Sequence, residues 1–352
     1  MQNVHIKRYS RGSVFGLRSL LLALCLLLTA HCSLPTVLAG TWTKQRTSSL
    51  AWLHAVYFLD QNRGWAVGSR GTLLATNDGG GSWHALPQPT EDAIRDLYFS
   101  DAREGWLLCE RNIYDLRSND EQRAYLMKTT DGGEHWKHLN LRGAAVDARL
   151  MRALFSNGGR AWAFGEGGSI YTTQDSGASW TRLQSPTRYL LLGGSFVDEN
   201  SGWLVGAGAT ILQTSDGGET WHAGRIPGAP NLRFNAASFV DTRQGWAVGS
   251  GGAIYRTSNG GRSWQLQSSG VMSDLFDVKF LDAREGWAVG AEGIVLHTSD
   301  GGLHWTTDHS GTPHALERIF FTDRAHGWAV GFGGTIISYD ASKRSVQPPQ
   351  LR

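Results

Sequence analysis

One phrase recurs seven times along this chain, and that recurrence leaves few folds open. Close variants of Gly-Trp-Ala-Val-Gly place tryptophans at Trp65, Trp106, Trp162, Trp203, Trp246, Trp287 and Trp328. Successive separations are 41, 56, 41, 43, 41 and 41 residues, the length of a four-stranded propeller blade and longer than helical or leucine-rich repeats. Within the sixth unit, Leu275 to Phe280 alternates, Gly286 to Gly290 and Ile294 to Thr298 follow, and His304-Trp305-Thr306 closes. Period-2 segments separated by Gly, Asp and Asn clusters are strands joined by hairpins. The pattern predicts an all-β chain, a seven-bladed β-propeller of four-stranded blades. The 45 glycines suit it, because tight turns need residues that accept positive φ.

A second tryptophan follows the first by 18 residues in units one, three, four, five and six (Trp83, Trp180, Trp221, Trp264, Trp305) and by 30 in unit two (Trp136). It closes a phrase of the form T-x-D-x-G-x-x-W, as in Thr76 to Trp83, which resembles the Asp-box repeat. The aspartate can bond its own backbone across the turn, the glycines accept left-handed dihedrals, and the tryptophan packs between sheets. The seventh unit has no box. Trp42 precedes Trp65 by 23 residues, the same separation as Trp83 to Trp106. The segment around Trp42 is therefore expected to supply the outer strand of the last blade, closing the ring and removing its open edges.

The first 39 residues read as a secretory signal: Lys7, Arg8, Arg11 and Arg18, an apolar run from Leu20 to Leu28, and Val37-Leu38-Ala39 before Gly40. The expected organisation is signal peptide 1–39, propeller 40–346 and a short tail 347–352. Export implies the periplasm, or the thylakoid lumen in a photosynthetic host. A second reading makes Cys32 a lipid-bearing N-terminus, because Leu28 to Cys32 resembles a lipoprotein signal, although His31 stands where that pattern wants a small residue. The leader holds four of the 33 basic and none of the 31 acidic residues, so the remainder has 29 basic against 31 acidic. That balance leaves no global field for nucleic acid. Only Cys109 lies beyond the leader, in an apolar strand where it reads as a small buried hydrophobe.

In a propeller the turn between strands two and three opens on the face where strand one begins. Small residues in turns such as Gly68 to Gly71 and Gly249 to Gly252 predict a shallow face. Unit two departs, inserting twelve residues within Glu110 to Ala124, and a long loop on a rigid scaffold is either a tolerated insertion or a functional feature. Arginines recur before strand one: Arg95, Arg149, Arg152, Arg188, Arg233 and Arg318. With Arg70 they form a candidate basic patch, suited to carboxylates and peptide carbonyls because the guanidinium presents several donors in fixed geometry. The competing reading is scattered charge paired with Glu91, Asp92, Asp96, Asp147 and Glu317.

Seven G-W-A-V-G phrases, each followed by a box except the last, resemble the photosystem II stability and assembly factor family over essentially all of Trp42 to Tyr339. The resemblance implies an exported, non-enzymatic, monomeric propeller that is at most peripheral to the membrane. It would act as a chaperone for a membrane-complex subunit, with Arg70, Arg95, Arg149, Arg233 and Arg318 as partner contacts.

Asp boxes also occur in sialidases, which makes a glycan-binding protein or glycoside hydrolase the alternative. Gly224-Arg225-Ile226-Pro227 looks like the sialidase F-R-I-P phrase, but there the phrase precedes the first box and here four boxes come before it. A retaining sialidase needs a tyrosine nucleophile with a glutamate partner and arginines converging on the substrate, yet Tyr57, Tyr98, Tyr171 and Tyr255 lie in predicted strands. Asp60, Asp101, Asp198, Asp241, Asp282 and Asp323 recur in six units and read as turn residues. The twelve histidines lack close ligand spacing and no phosphate-binding loop opens a helix, so neither metal nor cofactor is expected, and no catalytic residue is assigned.

Overall fold

A computed structural model describes residues 40–343, except 113, 115, 117–121, 140, 142–148, 157–158, 225 and 227–230. The leader, Cys32, Asp147, Arg225 and the tail fall outside the described residues. Seven four-stranded antiparallel sheets form the fold. Blade one comprises Leu53–Phe58, Gly64–Gly68, Leu73–Thr76 and His84–Ala85. The first strands of blades two to seven are Ala93–Phe99, Leu150–Phe155, Leu191–Phe196, Phe234–Phe239, Leu275–Phe280 and Leu316–Phe321. These first strands pack on their neighbours' first strands and so surround the ring axis. The Gly-Trp-Ala-Val-Gly phrase is the second strand of a blade, buried along its whole length, as at Gly64–Gly68 and Gly245–Gly249.

A typical repeat tryptophan does two things for the next blade. Its indole face receives the last residue of that blade's first strand: Phe58 on Trp328 at 3.5 Å, Phe99 on Trp65 at 3.7 Å, and Phe196, Phe239 and Phe280 on Trp162, Trp203 and Trp246 at 3.5 to 3.7 Å. Its N–H donates to a carbonyl in that blade's box, as from Trp162 to Gly217 at 3.0 Å and from Trp328 to Gly79 at 2.8 Å. Buried indoles ordinarily need such a partner. Blade seven has no box, and the Trp287 N–H finds no carbonyl; beside it lies the Asp308 carboxyl, pushed up by burial, which also accepts from Trp42 Nε1 at 3.3 Å.

Glycine makes the stack possible. A Cβ at Gly64, Gly105, Gly202, Gly245, Gly286 or Gly327 would lie 2.3 to 2.6 Å from the phenylalanine ring of its own hairpin. Blade three carries Ala161 at this place. Its Phe155 has swung away, lying 5.4 Å from Trp106 at 33° and stacking instead on Tyr98 at 4.8 Å and 2°. A cleft of about 280 Å³, lined by Tyr98, Glu104, Trp106, Phe155 and Ser176 among others, is left between blades two and three.

The boxes are built as hydrogen-bonded turns. Thr76 Oγ1 donates to Asp78 Oδ1 at 2.8 Å and accepts from Gly80 N at 2.9 Å. Asp78 accepts from Ser82 N at 2.9 Å and from Ser82 Oγ at 2.6 Å, bonds that hold its pKa at about 2. Box five has Asn259 in the same role, accepting from Thr257 Oγ1 and Ser263 N at 3.0 Å each. An amide serves because the turn needs an acceptor and not an acid.

Ring closure follows the sequence expectation. Thr41–Lys44 is the outermost strand of blade seven, pairing Trp42 with Tyr339. Trp42 is buried edge-on to Phe321 at 5.9 Å, and Gly40 N donates to Tyr339 Oη at 3.1 Å.

Four outcomes are expected. Replacing Trp42 with Ala should cost about 3–5 kcal/mol in urea unfolding, and deleting Gly40–Lys44 should also produce oligomers by size-exclusion chromatography as the Ile336–Asp340 edge is bared; a monomer with an unchanged melting temperature would refute this closure. Gly245→Ala should unseat Phe239 and cost about 1–3 kcal/mol, whereas Ala161→Gly should return Phe155 onto Trp106 in a crystal structure.

Candidate functional site

One residue of each first strand bulges out of the ladder just after the strand begins, between Leu53 and Ala55, Ile94 and Asp96, Leu316 and Arg318, and likewise in the other four blades. Bulges re-aim side chains at sheet rims. They carry His54, Arg95 and Glu317 around one sector of the ring mouth. The residue before strand one is held in turn by the strand two to three turn, through Ser69 N to Trp52 O at 2.9 Å, Glu166 N to Arg149 O at 2.8 Å and Ser250 N to Arg233 O at 2.9 Å. These bonds put the turn and the start of strand one on the same face, as expected.

Blade two supplies the centre of the site. Its insertion lengthens strands two and three so that Glu110 enters the ladder between Ala93 and Ala124. Buried there, the Glu110 carboxylate accepts from Arg95 Nε at 2.5 Å and from Arg123 Nη2 at 2.8 Å, and pairs with Arg149 Nε at 2.9 Å. Burial works against its charge, but the surrounding guanidiniums of Arg95 and Arg149 win, holding the carboxyl below the usual glutamate range. Three cations share one anion, with Glu166 reaching Arg123 only at 3.4 Å. The array continues through His54, whose Nε2 faces Arg95 Nη1 at 3.4 Å while Nδ1 meets Glu317 Oε2 at 3.1 Å. Arg318 Nε adjoins it, donating to His54 O at 3.4 Å.

Of the five arginines expected to act together, the structure brings Arg95, Arg149 and Arg318 into this array. Arg70 stands exposed on the turn of the same blade as His54, making no ion pair among the described residues. It holds φ 54°, a left-handed conformation occupied by glycine at Gly167, Gly251 and Gly333 of other turns, at a cost of about 1 kcal/mol for a residue with a Cβ. Arg233 is separate: Asp274 of blade six accepts from its Nη2 at 2.8 Å, and no described contact links it to Glu110. The competing reading, charge paired with Asp92, Asp96 and Glu317, is only partly seen. Asp92 meets Arg111 at 3.9 Å, Glu317 takes His54, and Asp96 lies 3.8 Å from Arg152. Arg152 is drawn into the channel between Asp96 and Asp277, each pushed up by burial and each accepting a backbone N–H from the next blade.

Glu110 and Arg123 are the functional candidates that the repeat pattern did not expose, and the signal available was their position at the two ends of the insertion. The face is also less shallow than small turns suggested, because Phe332 and Trp52 protrude from it. Among the described residues no cluster of three potential metal ligands occurs, and no helix is long and apolar enough to cross a membrane. Cys109 is buried and its thiol is pushed up by that burial.

Glu110→Gln should leave the guanidiniums unbalanced and cost about 3 kcal/mol at pH 7. Because the folded-state carboxyl titrates below its unfolded value, the wild-type contribution is complete above the ordinary glutamate range and fades as pH falls through the folded value. Urea unfolding at pH 7 and pH 4 should therefore show the gap between wild type and variant narrowing in acid; a constant gap would refute the assigned pairing.

Residues 82–190, 183–269 and 266–340 match the family described as photosynthesis system II assembly factor YCF48. A photosystem II assembly lipoprotein Ycf48 from Synechococcus sp. (strain CC9902) is 27% identical over 149 residues, 42% of this chain and 41% of that protein. The match thus spans about two-fifths of that curated relative. YCF48 from Cyanidioschyzon merolae superposes with a TM-score of 0.71 at 20% identity, covering 86% of this chain and all of that one. YCF48 bound to a D1 peptide superposes at 0.70 and 22%, covering 88% and 99%. With the family's pattern running through three quarters of its length and the same propeller around it, this chain belongs to the photosystem II assembly factor YCF48 family.

Proposed function

We propose that this chain is an exported assembly factor that holds a segment of a photosystem II reaction-centre subunit, or of a related membrane complex, on the ring face bearing Arg70, Arg95, Arg149 and Arg318. The observation that carries the reading is the gathering of Arg95, Arg123 and Arg149 around the single carboxylate of Glu110. Guanidiniums fixed by a buried anion keep their remaining donors pointed outward in a set geometry, which suits carboxylates and peptide carbonyls. The D1 peptide on a relative with the same propeller supports a protein ligand. The role is one of binding, with no catalytic step. Arg233 contributes at most a peripheral contact, since Asp274 occupies it. Export rests on the leader, residues 1–39, and the lipoprotein designation of the Synechococcus relative supports Cys32 as an alternative anchor point.

Peptides tiling a D1 subunit, titrated into the 40–352 chain and followed by fluorescence anisotropy, test this. Arg149→Ala and Arg318→Ala should each weaken the bound peptide about tenfold and flatten its salt dependence, with Arg233→Ala within about twofold. Equal affinity for wild type and both cluster variants would sink the proposal.

A further inference from the structure

Beside the arginine array the ring face carries an aromatic pair that the repeat does not explain. Trp52 and Phe332 meet edge to face at 5.7 Å and are 42% and 52% exposed. Both break the pattern of their positions. Where Trp52 precedes strand one of blade one, the other blades have Ala93, Arg149, Leu190, Arg233, Asp274 and Ala315; where Phe332 opens its turn, Ser69, Glu166, Ala207, Ser250 and Ala291 stand in other blades. Neither ring is buried in the core, and the backbone that bears each is tied down. Trp52 O accepts from Ser69 N, Phe332 N donates to Ala315 O at 2.9 Å, and Gly334 N donates to Ala51 O at 2.7 Å, tying the segment before blade one onto the turn of blade seven. Leu50, 88% exposed, lies on that same segment.

The pair and the array are joined by one side chain. The His54 ring lies 5.4 Å from Trp52 on one side and 3.4 Å from the Arg95 guanidinium on the other. An apolar surface abutting an excess of guanidiniums selects its ligand by charge as well as by shape. From the Trp52 ring to the Arg95 guanidinium is no more than about 10 Å, or two to three residues of extended chain.

We infer that Trp52 and Phe332 form an apolar anchor site for a protein segment that carries an aliphatic or aromatic side chain two to three residues from a carboxylate, the acid meeting Arg95, Arg149 and Arg318. This inference rests on the proposed function and adds the second determinant of specificity. An anchor of this kind concentrates binding energy in a few buried contacts while the charged rim sets the encounter rate.

The test uses the 40–352 chain and synthetic peptides with one glutamate and one leucine at separations of one to six residues, read by fluorescence anisotropy. Phe332→Ala and Trp52→Ala, both at exposed positions, are checked for wild-type melting temperature. Binding should peak at a separation of two or three and fall at least tenfold in each aromatic variant, with the slope against salt unchanged. Arg149→Ala should weaken every acidic peptide and flatten that slope. Aromatic variants that bind like wild type, or affinity indifferent to the separation, would overturn the anchor while leaving the arginine face standing. Peptide binding unaffected by Arg149→Ala and Arg318→Ala would overturn the arginine face itself. If wild type binds none of the peptides, both readings fall.

Discussion

The contact on which the ring depends is the stack between a repeat tryptophan and the phenylalanine that ends the next blade's first strand. A blade on its own is a small twisted sheet with two apolar faces and no means of burying either. Stacking rings at 3.5 to 3.7 Å joins neighbouring blades face to face, and the indole N–H fixes the same pair through the next box. The glycine beneath each phenylalanine is part of the same device, because any side chain there would occupy the ring's space. Blade three shows what one methyl group does: with Ala161 in the glycine's place Phe155 lies aside, and a cleft is left between blades two and three.

Much of this was legible in the residues. Trp65 and its six counterparts each have to be buried between blades, so their spacing reports the blade period directly, and Trp42 declares its blade by sitting at the interval that Trp83 keeps from Trp106. The displacement of Phe155 was not read, because it arises from the difference between Gly and Ala at position 161, which alternation does not register. The arginine site was legible only as a set of positions. Whether Arg95 and Arg149 converge depends on a third residue, Glu110, and its place is decided by how far the inserted hairpin extends the ladder. Hydrophobic period carries no information on that point. Arg233 illustrates the converse: its position in the repeat matches that of Arg149, but its neighbour Asp274 engages it.

Symmetry and function are divided between different residues. The positions that keep the repeat, including the box aspartates and their Asn259 substitute, make turns and core. The positions that depart from it, Glu110, Trp52 and Phe332, gather with the left-handed Arg70 around the mouth of blades seven, one and two. A ring with near-identical sectors can vary one sector with little disturbance to the others, since each blade packs mainly on its neighbours.

Closure by Thr41–Lys44 has a consequence for how such a chain comes into being. The strand that completes the last blade emerges first, and its partner, Ile336–Asp340, emerges almost three hundred residues later. Throughout synthesis Trp42 has no blade to enter, and contacts so far apart in sequence form slowly. Six blades can assemble in order behind it, but the circle stays open until the final hairpin arrives. The last event of folding is thus an encounter between the first and last strands of the propeller, and a molecule truncated before Ile336 cannot reach it.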